Sequence, residues 1–201
     1  MSATTHALTA MIASRICHDL ISPLGAISNG VELLQLTMAP PLPPELQLIA
    51  DSIRSANARV LFLRLAFGVA GEGQSMGQGE LAALVRGWTE GGRLQIDWQP
   101  GPPCSRLRAR RACLALLCLE AALPQGGEIR VRDDGGLWQL RARGRRAALP
   151  PALWEMLTEP QCSVELSPGR IQFALLRGDL LEGDGLATGK ISEDEIVLSL
   201  P

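Results

Sequence analysis

The sequence contains no tyrosine, three phenylalanines and four tryptophans. A surface that stacks nucleic-acid bases interleaves aromatic with basic side chains, and seven aromatics in 201 residues are too few to build one. Excess positive charge is missing as well: the net charge is −2 and the pI about 5.7. No nucleic-acid partner is therefore expected. Histidine occurs only at His6 and His18. Twelve residues apart on one helix, they differ in direction by roughly 120° and cannot share a metal. The five cysteines (Cys17, Cys104, Cys113, Cys118 and Cys162) are odd in number, scattered, and free of any CxxC pair. Neither a zinc site nor a disulfide framework is indicated, and reduced thiols fit a cytoplasmic protein. No run approaches the ~18 apolar residues of a membrane span. The opening MSATTHALTA has no basic stretch followed by an apolar core, so neither a signal peptide nor a membrane anchor is expected.

What is present is a large apolar fraction, 46% of the chain. That is enough for one large domain or two small ones. Residues 5–38 read as one long helix, with Thr4 or Thr5 as its cap. Four prolines between 40 and 44 end it. Residues 45–70 read as a second helix. Leu46, Ile53, Val60 and Phe67 recur every seven residues, and Ile49, Ala56, Leu63 and Ala70 do the same. That is an a/d seam. Two long helices joined by a short turn form a hairpin with an uncovered apolar stripe. Two copies about a two-fold axis would bury both stripes as a four-helix bundle, so a homodimer is expected.

The chemistry concentrates in residues 13–34, ASRICHDLISPLGAISNGVELL. At helical spacing Ile16, Leu20, Leu24, Ile27, Val31 and Leu34 fall on one side. His18 lies opposite, ringed by Ser14, Ser22, Gly25 and Asn29, small enough to let a large partner approach. Asp19 follows it directly. Pro23 crowds the carbonyl of Asp19 and is expected to bend the helix there.

The run His18-Asp19-Leu20-Ile21-Ser22-Pro23-Leu24, trailed by Ile27 and Glu32-Leu33-Leu34, resembles the phospho-acceptor segment of two-component histidine kinases. With Cys17 before it, it looks most like the ChpT type of histidine phosphotransferase in alphaproteobacteria. The resemblance implies that His18 accepts the phosphoryl group and that Asp19 orients its ring. It implies receiver-domain partners: a hybrid histidine kinase's receiver as donor and response-regulator receivers as acceptors. The magnesium would come with the receiver, because no metal site is read here. Receiver docking is expected at Ser14, Arg15, Ser22, Gly25 and Asn29, with the second half of the chain as another wall.

Residues 68–79, GVAGEGQSMGQG, read as a glycine-rich linker. Beyond it, helices are expected at 80–90, 106–123, 151–157 and 170–181, and strands at 94–99, 128–132, 137–143 and 196–200. Turns are expected at 100–103, at Asp133-Asp134-Gly135-Gly136 and at Gly183-Asp184-Gly185. The layout is similar to a histidine kinase ATP-binding domain, but its nucleotide chemistry is missing. The kinase's magnesium-holding Asn has no counterpart in Leu117-Cys118-Leu119-Glu120. The adenine-reading Asp has none in residues 142–147, and the second glycine box has none in 158–181. GDGLATGK at 183–190 fails as a P-loop, with Asp184 where Gly is required and Ile191 after the Lys; it reads as a turn. The arginine clusters at 106–111 and 141–146 read as solvated faces or a docking surface for an acidic receiver.

The expected fold is α plus α/β. Residues 1–70 form the dimeric helical-hairpin phospho-acceptor domain, 71–79 the linker, and 80–201 an α/β sandwich resembling a degenerate ATPase domain that binds no cofactor. The expected function is phosphoryl carriage between receivers. An active kinase with a divergent ATP site and a non-catalytic dimeric scaffold or inhibitor remain the alternatives.

Overall fold

A computed structural model describes residues 3–70, 73–99, 101–134, 136–162, 164–183 and 185–201, with side chains from residue 7 onward. The side chain of His6, positions 71–72 of the expected linker, and positions 100, 135 and 184 of the expected turns lie outside the described residues.

Helix α1 spans Ala3–Thr37 and runs unbroken through Pro23. It starts ahead of Thr4 and Thr5, so both positions lie within the helix and not before its first residue. Helix α2, Pro44–Phe67, has Pro43 as its N-cap and Pro44 at N1, where a missing N–H costs nothing. The two helices pack as the expected hairpin. Their seam differs from the expected one. Ala10, Cys17 and Val31 of α1 are buried, whereas Ile16, Leu20, Ile27 and Leu34 are 55%, 46%, 50% and 52% exposed. A single facing helix covers only part of so wide an apolar stripe. On α2, Leu46 is buried but Ile49 is 48% exposed.

The buried face of α2 is another one: Phe62, Leu65 and Ala66 belong to the main core. Phe62 lies fully buried with its ring stacked on Trp88, centroids 4.1 Å apart and planes 5° from parallel. Trp88 sits on α3, Gln78–Thr89. Residues expected as linker are thus already structured. Ser75–Met76 is strand β1, which pairs antiparallel with β3, Cys104–Ser105, and α3 begins at Gln78.

The second half holds a five-stranded sheet ordered β2-β4-β5-β7-β6. The strands are β2 Leu94–Trp98, β4 Gly127–Asp133, β5 Trp138–Arg143, β6 Thr188–Ile191 and β7 Glu195–Leu200. Only β2 and β4 run parallel. Strand β6, expected as part of a turn, carries Gly189 and Lys190 in an edge strand; a phosphate loop would turn there into a helix. Ile129, Val131, Leu140, Ala142, Ile196 and Leu198 alternate inward against helix α4, Arg106–Ala122, and helix α6, Ile171–Leu181. Helix α5, Pro151–Thr158, packs beside α6. The other sheet face is polar, with Arg130, Arg141 and Arg143 exposed.

Glycine is required at the turn into β4. Gly126 has φ 82°, and a Cβ there would lie 2.3 Å from the Arg93 carbonyl oxygen. The positive φ and the close approach both exclude a larger residue.

The arginine run at 106–111 is no solvated face. Arg108 pairs with Asp133 at 2.8 Å, and buried Arg110 pairs with buried Asp179 at 3.1 Å. Buried Arg111 donates to the Asp179 and Pro201 carbonyls at 2.6 and 3.3 Å. A buried cation must be paired or hydrogen-bonded, and these three tie α4 to β4, α6 and the last residue of the chain. In the 141–146 cluster, Arg143 reaches Glu195 of the neighbouring strand at 2.9 Å on the open sheet face. Two α4 positions compared with the kinase helix, Leu117 and Cys118, are core, and burial pushes the Cys118 thiol far up. Glu120 sits at the edge, 3.8 Å from Arg59 of α2. Burial raises its carboxyl above the usual range despite Arg59 and Arg93.

Candidate phospho-acceptor site

His18 stands on the open flank of α1, its side chain 74% exposed. One position earlier, Cys17 is buried in the seam against α2, where burial pushes its thiol up and Arg64 of α2 opposes the shift. Neighbouring helix positions differ by roughly 100°, so anchoring Cys17 inward sets His18 at the edge of the seam, facing out.

Asp19 accepts on both carboxylate oxygens. Its Oδ1 lies 3.1 Å from His18 Nδ1, and its Oδ2 accepts from Arg15 Nε at 2.9 Å. The His18 hydrogen bond, with help from the Arg15 charge and hydrogen bond, holds Asp19 below the usual carboxylate range. An ionised carboxylate only accepts, so Nδ1 of His18 is the donor in this contact and Nε2 points away from Asp19. In its neutral form, an exposed imidazole with Nδ1 engaged presents Nε2 as a nucleophile that a large electrophilic partner can reach. Pro23 adds a local feature: it has no N–H to offer the Asp19 carbonyl four residues back.

The other expected docking positions differ in their surroundings. Ser22 and Asn29 are exposed on the His18 flank. Gly25, two turns beyond His18, has open space: a Cβ there would meet nothing within 4 Å. Arg15 is exposed but tied to Asp19. Ser14 is engaged inside the chain, its hydroxyl accepting from the Val69 N–H just past α2 at 3.0 Å. Gly68 fits tightly beside it, since a Cβ would lie 3.0 Å from the Ser14 hydroxyl and 2.3 Å from the Arg64 carbonyl. Ser14 therefore locks the turn ahead of His18 to the exit of α2. The Arg15–Asp19 pairing was readable from its i,i+4 spacing. The Ser14–Val69 bond spans 55 positions and left no local signal.

Arg64 has a second setting. It lines a cleft of about 510 Å³ between α2 and α3, with Leu61, Leu65, Leu84, Glu80 and Arg106. Among the described residues no group of three or more His, Cys, Asp and Glu side chains is placed to hold a metal ion. No described helix is long and apolar enough to cross a membrane.

Sequence comparison decides the family. Residues 78–182 match the family described as "Histidine phosphotransferase C-terminal domain". The protein phosphotransferase ChpT of Brucella abortus (strain 2308) is 33% identical over 155 residues, covering 74% of this chain and 73% of that protein. The chain belongs to the histidine phosphotransferase family. A solved bacterial phosphotransferase has the same fold, with TM-score 0.71 and 24% identity over 100% of this chain and 98% of its own. Full-length ShkA in complex with AMPPNP aligns over 96% of this chain and 46% of its own, at TM-score 0.48 and 16% identity. The family match covers most of the second half, while the His18-Asp19 pair lies on the hairpin ahead of it.

Proposed function

We propose that this histidine phosphotransferase accepts a phosphoryl group on His18 Nε2 from the aspartyl phosphate of a receiver domain and passes it to response-regulator receivers. The observation that carries the reading is the exposed His18 ring with Nδ1 held on Asp19 Oδ1 at 3.1 Å. In the forward step the Nε2 lone pair forms the N–P bond as the P–O bond of the aspartyl phosphate breaks. Its electrons leave on the receiver's carboxylate. The ring then carries positive charge, which the Asp19 carboxylate stabilises. The return step reverses each of these movements. Charge on the three equatorial phosphoryl oxygens must be neutralised, and the receiver brings the magnesium for this.

Receivers dock on the flank that carries Ser22, Gly25 and Asn29, with Arg15 and Ser14 at its near end. The cleft between α2 and α3, reached through Arg64, supplies the second wall. Three features support the reading that the chain itself binds no nucleotide. Leu117 and Cys118 fill core where the kinases place their magnesium-holding turn. Arg110 and Asp179 pair inside α4 and α6. The GDGLATGK segment enters an edge strand. The protein works in the cytoplasm.

The half-exposed stripe of Ile16, Leu20, Ile27 and Leu34 supports a homodimer through the hairpins. A double substitution, Ile27→Glu with Leu34→Glu, places charges in the middle of that face, where burial without a partner is unfavourable. Sedimentation equilibrium is expected to give a dimer for the parent chain and a folded monomer for the variant. A variant that remains dimeric would place the contact elsewhere.

The relay itself is tested with two receivers. Label on the first is expected to reach the second only when this chain is present, and to be found on His18 by mass spectrometry in the intermediate. Transfer that proceeds without the chain, or an intermediate labelled elsewhere, contradicts the reading.

A further inference from the structure

We propose that Arg15 is a positioning residue for phosphoryl transfer, acting through Asp19 to fix the tautomer and orientation of His18. The inference rests on His18 as the acceptor and goes beyond it by giving the arginine a part in the chemistry that is independent of any docked receiver.

Asp19 lies on an exposed helix face next to His18 in sequence, and adjacent helical positions do not naturally face each other. An aspartate on a helix surface samples several rotamers, and only some bring an oxygen to His18 Nδ1. Arg15, one turn back, donates Nε to Oδ2 at 2.9 Å. With that oxygen held, Oδ1 is left on Nδ1 at 3.1 Å. The order of charges runs arginine, carboxylate, imidazole, as in sites where an outer partner orients the group that orients a histidine.

The pair does little else. Both partners are mostly exposed, Arg15 at 75% and Asp19 at 51%. The cation is N-terminal to the anion, the weaker order along a helix, and exposed pairs of this kind contribute little to stability. Its arrangement around Asp19 therefore has its main consequence at His18. Without Arg15 the carboxylate swings free, the imidazole distributes its proton over both nitrogens, and the fraction with Nε2 free and aimed outward falls.

The test separates positioning from docking by using a donor too small to dock. Potassium phosphoramidate donates its phosphoryl group to imidazole: the N–P bond to Nε2 forms as the donor's P–N bond breaks, and ammonia leaves with a proton from solvent. Labelling of Arg15→Ala is expected to slow about tenfold, at the low end of the ~10–100-fold carried by partners that orient a histidine through its second nitrogen. Arg15→Lys, which keeps a charge at the same spacing, restores part of the rate. Against an Asp19→Asn background, Arg15→Ala is expected to have no further effect, because the two act as one unit. The chain has two histidines, so the ring nitrogens of His18 are separable by 15N NMR. The parent is expected to show Nδ1–H, and Arg15→Ala a mixture of tautomers with an unchanged thermal midpoint.

Three results would overturn the proposal. Arg15→Ala could slow transfer from a phosphorylated receiver but not from phosphoramidate, which makes Arg15 a docking residue. The two substitutions could add independently. The tautomer could stay unchanged in Arg15→Ala. Labelling of His18→Ala by phosphoramidate at the parent rate is a separate failure, that of the acceptor assignment itself.

Discussion

Phe62→Ala is expected to destabilise the chain by about 3–4 kcal/mol, within the range for emptying a fully buried phenylalanine. The ring is 0% exposed and lies flat on Trp88, centroids 4.1 Å apart. Aromatic contact adds about 0.5–1.5 kcal/mol to burial alone, and the rigid helices α2 and α3 on either side cannot close the gap. The loss falls on a particular joint. Phe62 faces away from α1, so its removal loosens the helical hairpin from the second half of the chain while leaving the hairpin intact. Phe62→Leu, which keeps most of the volume, is expected to cost about 1–1.5 kcal/mol. Urea unfolding followed by far-ultraviolet circular dichroism measures both. A loss below about 1 kcal/mol for the alanine would mean that the joint is not held by this stack.

Asp133→Ala is expected to cost about 3 kcal/mol, the lower end for breaking a buried pair by removing one partner. The Asp133 side chain is 0% exposed and accepts from Arg108 at 2.8 Å and from Gln78 Nε2 at 2.9 Å. Gln78 in turn donates to the Pro102 carbonyl at 2.7 Å and accepts from Trp98 Nε1 at 3.0 Å. Arg108 also lies over the Trp138 ring, 5.4 Å from its centroid. Removing the carboxylate leaves a guanidinium that is only 20% exposed without its anion, and an amide without one of its acceptors. The remaining exposure and the Trp138 face soften the penalty, which is why the lower end is expected. Asp133→Asn keeps the shape and one acceptor oxygen and should lose about half as much. An alanine variant as stable as the parent would show that the network contributes nothing net.

These two positions also mark the limit of what sequence could show. The long helices were legible because apolar residues recur every three to four positions over many turns, and the candidate site because His18, Asp19 and Pro23 lie within six consecutive residues. Contacts between distant segments were not. Arg108, Arg110 and Arg111 look like surface charge in a run of arginines; their partners lie 25 positions away for Asp133 and 68 for the Asp179 carbonyl. Strand β6 was missed because all four of its residues are exposed, and an edge strand without inward-facing side chains has no alternation to read. Ser14 suggested empty space beside the histidine because it is small; the structure uses it as an acceptor for Val69. The apolar stripe of α1 was recognised, but one partner helix covers only one edge of it. The half left uncovered is itself informative, since it is the face proposed for the second copy.

The most direct test of the account is transfer of radiolabelled phosphate from a phosphorylated receiver domain to this chain, with no ATP present and His18→Ala beside the parent. Acid-labile label is expected on the parent and none on the variant. Equal labelling of the two, or label taken from ATP in the absence of any receiver, would contradict it.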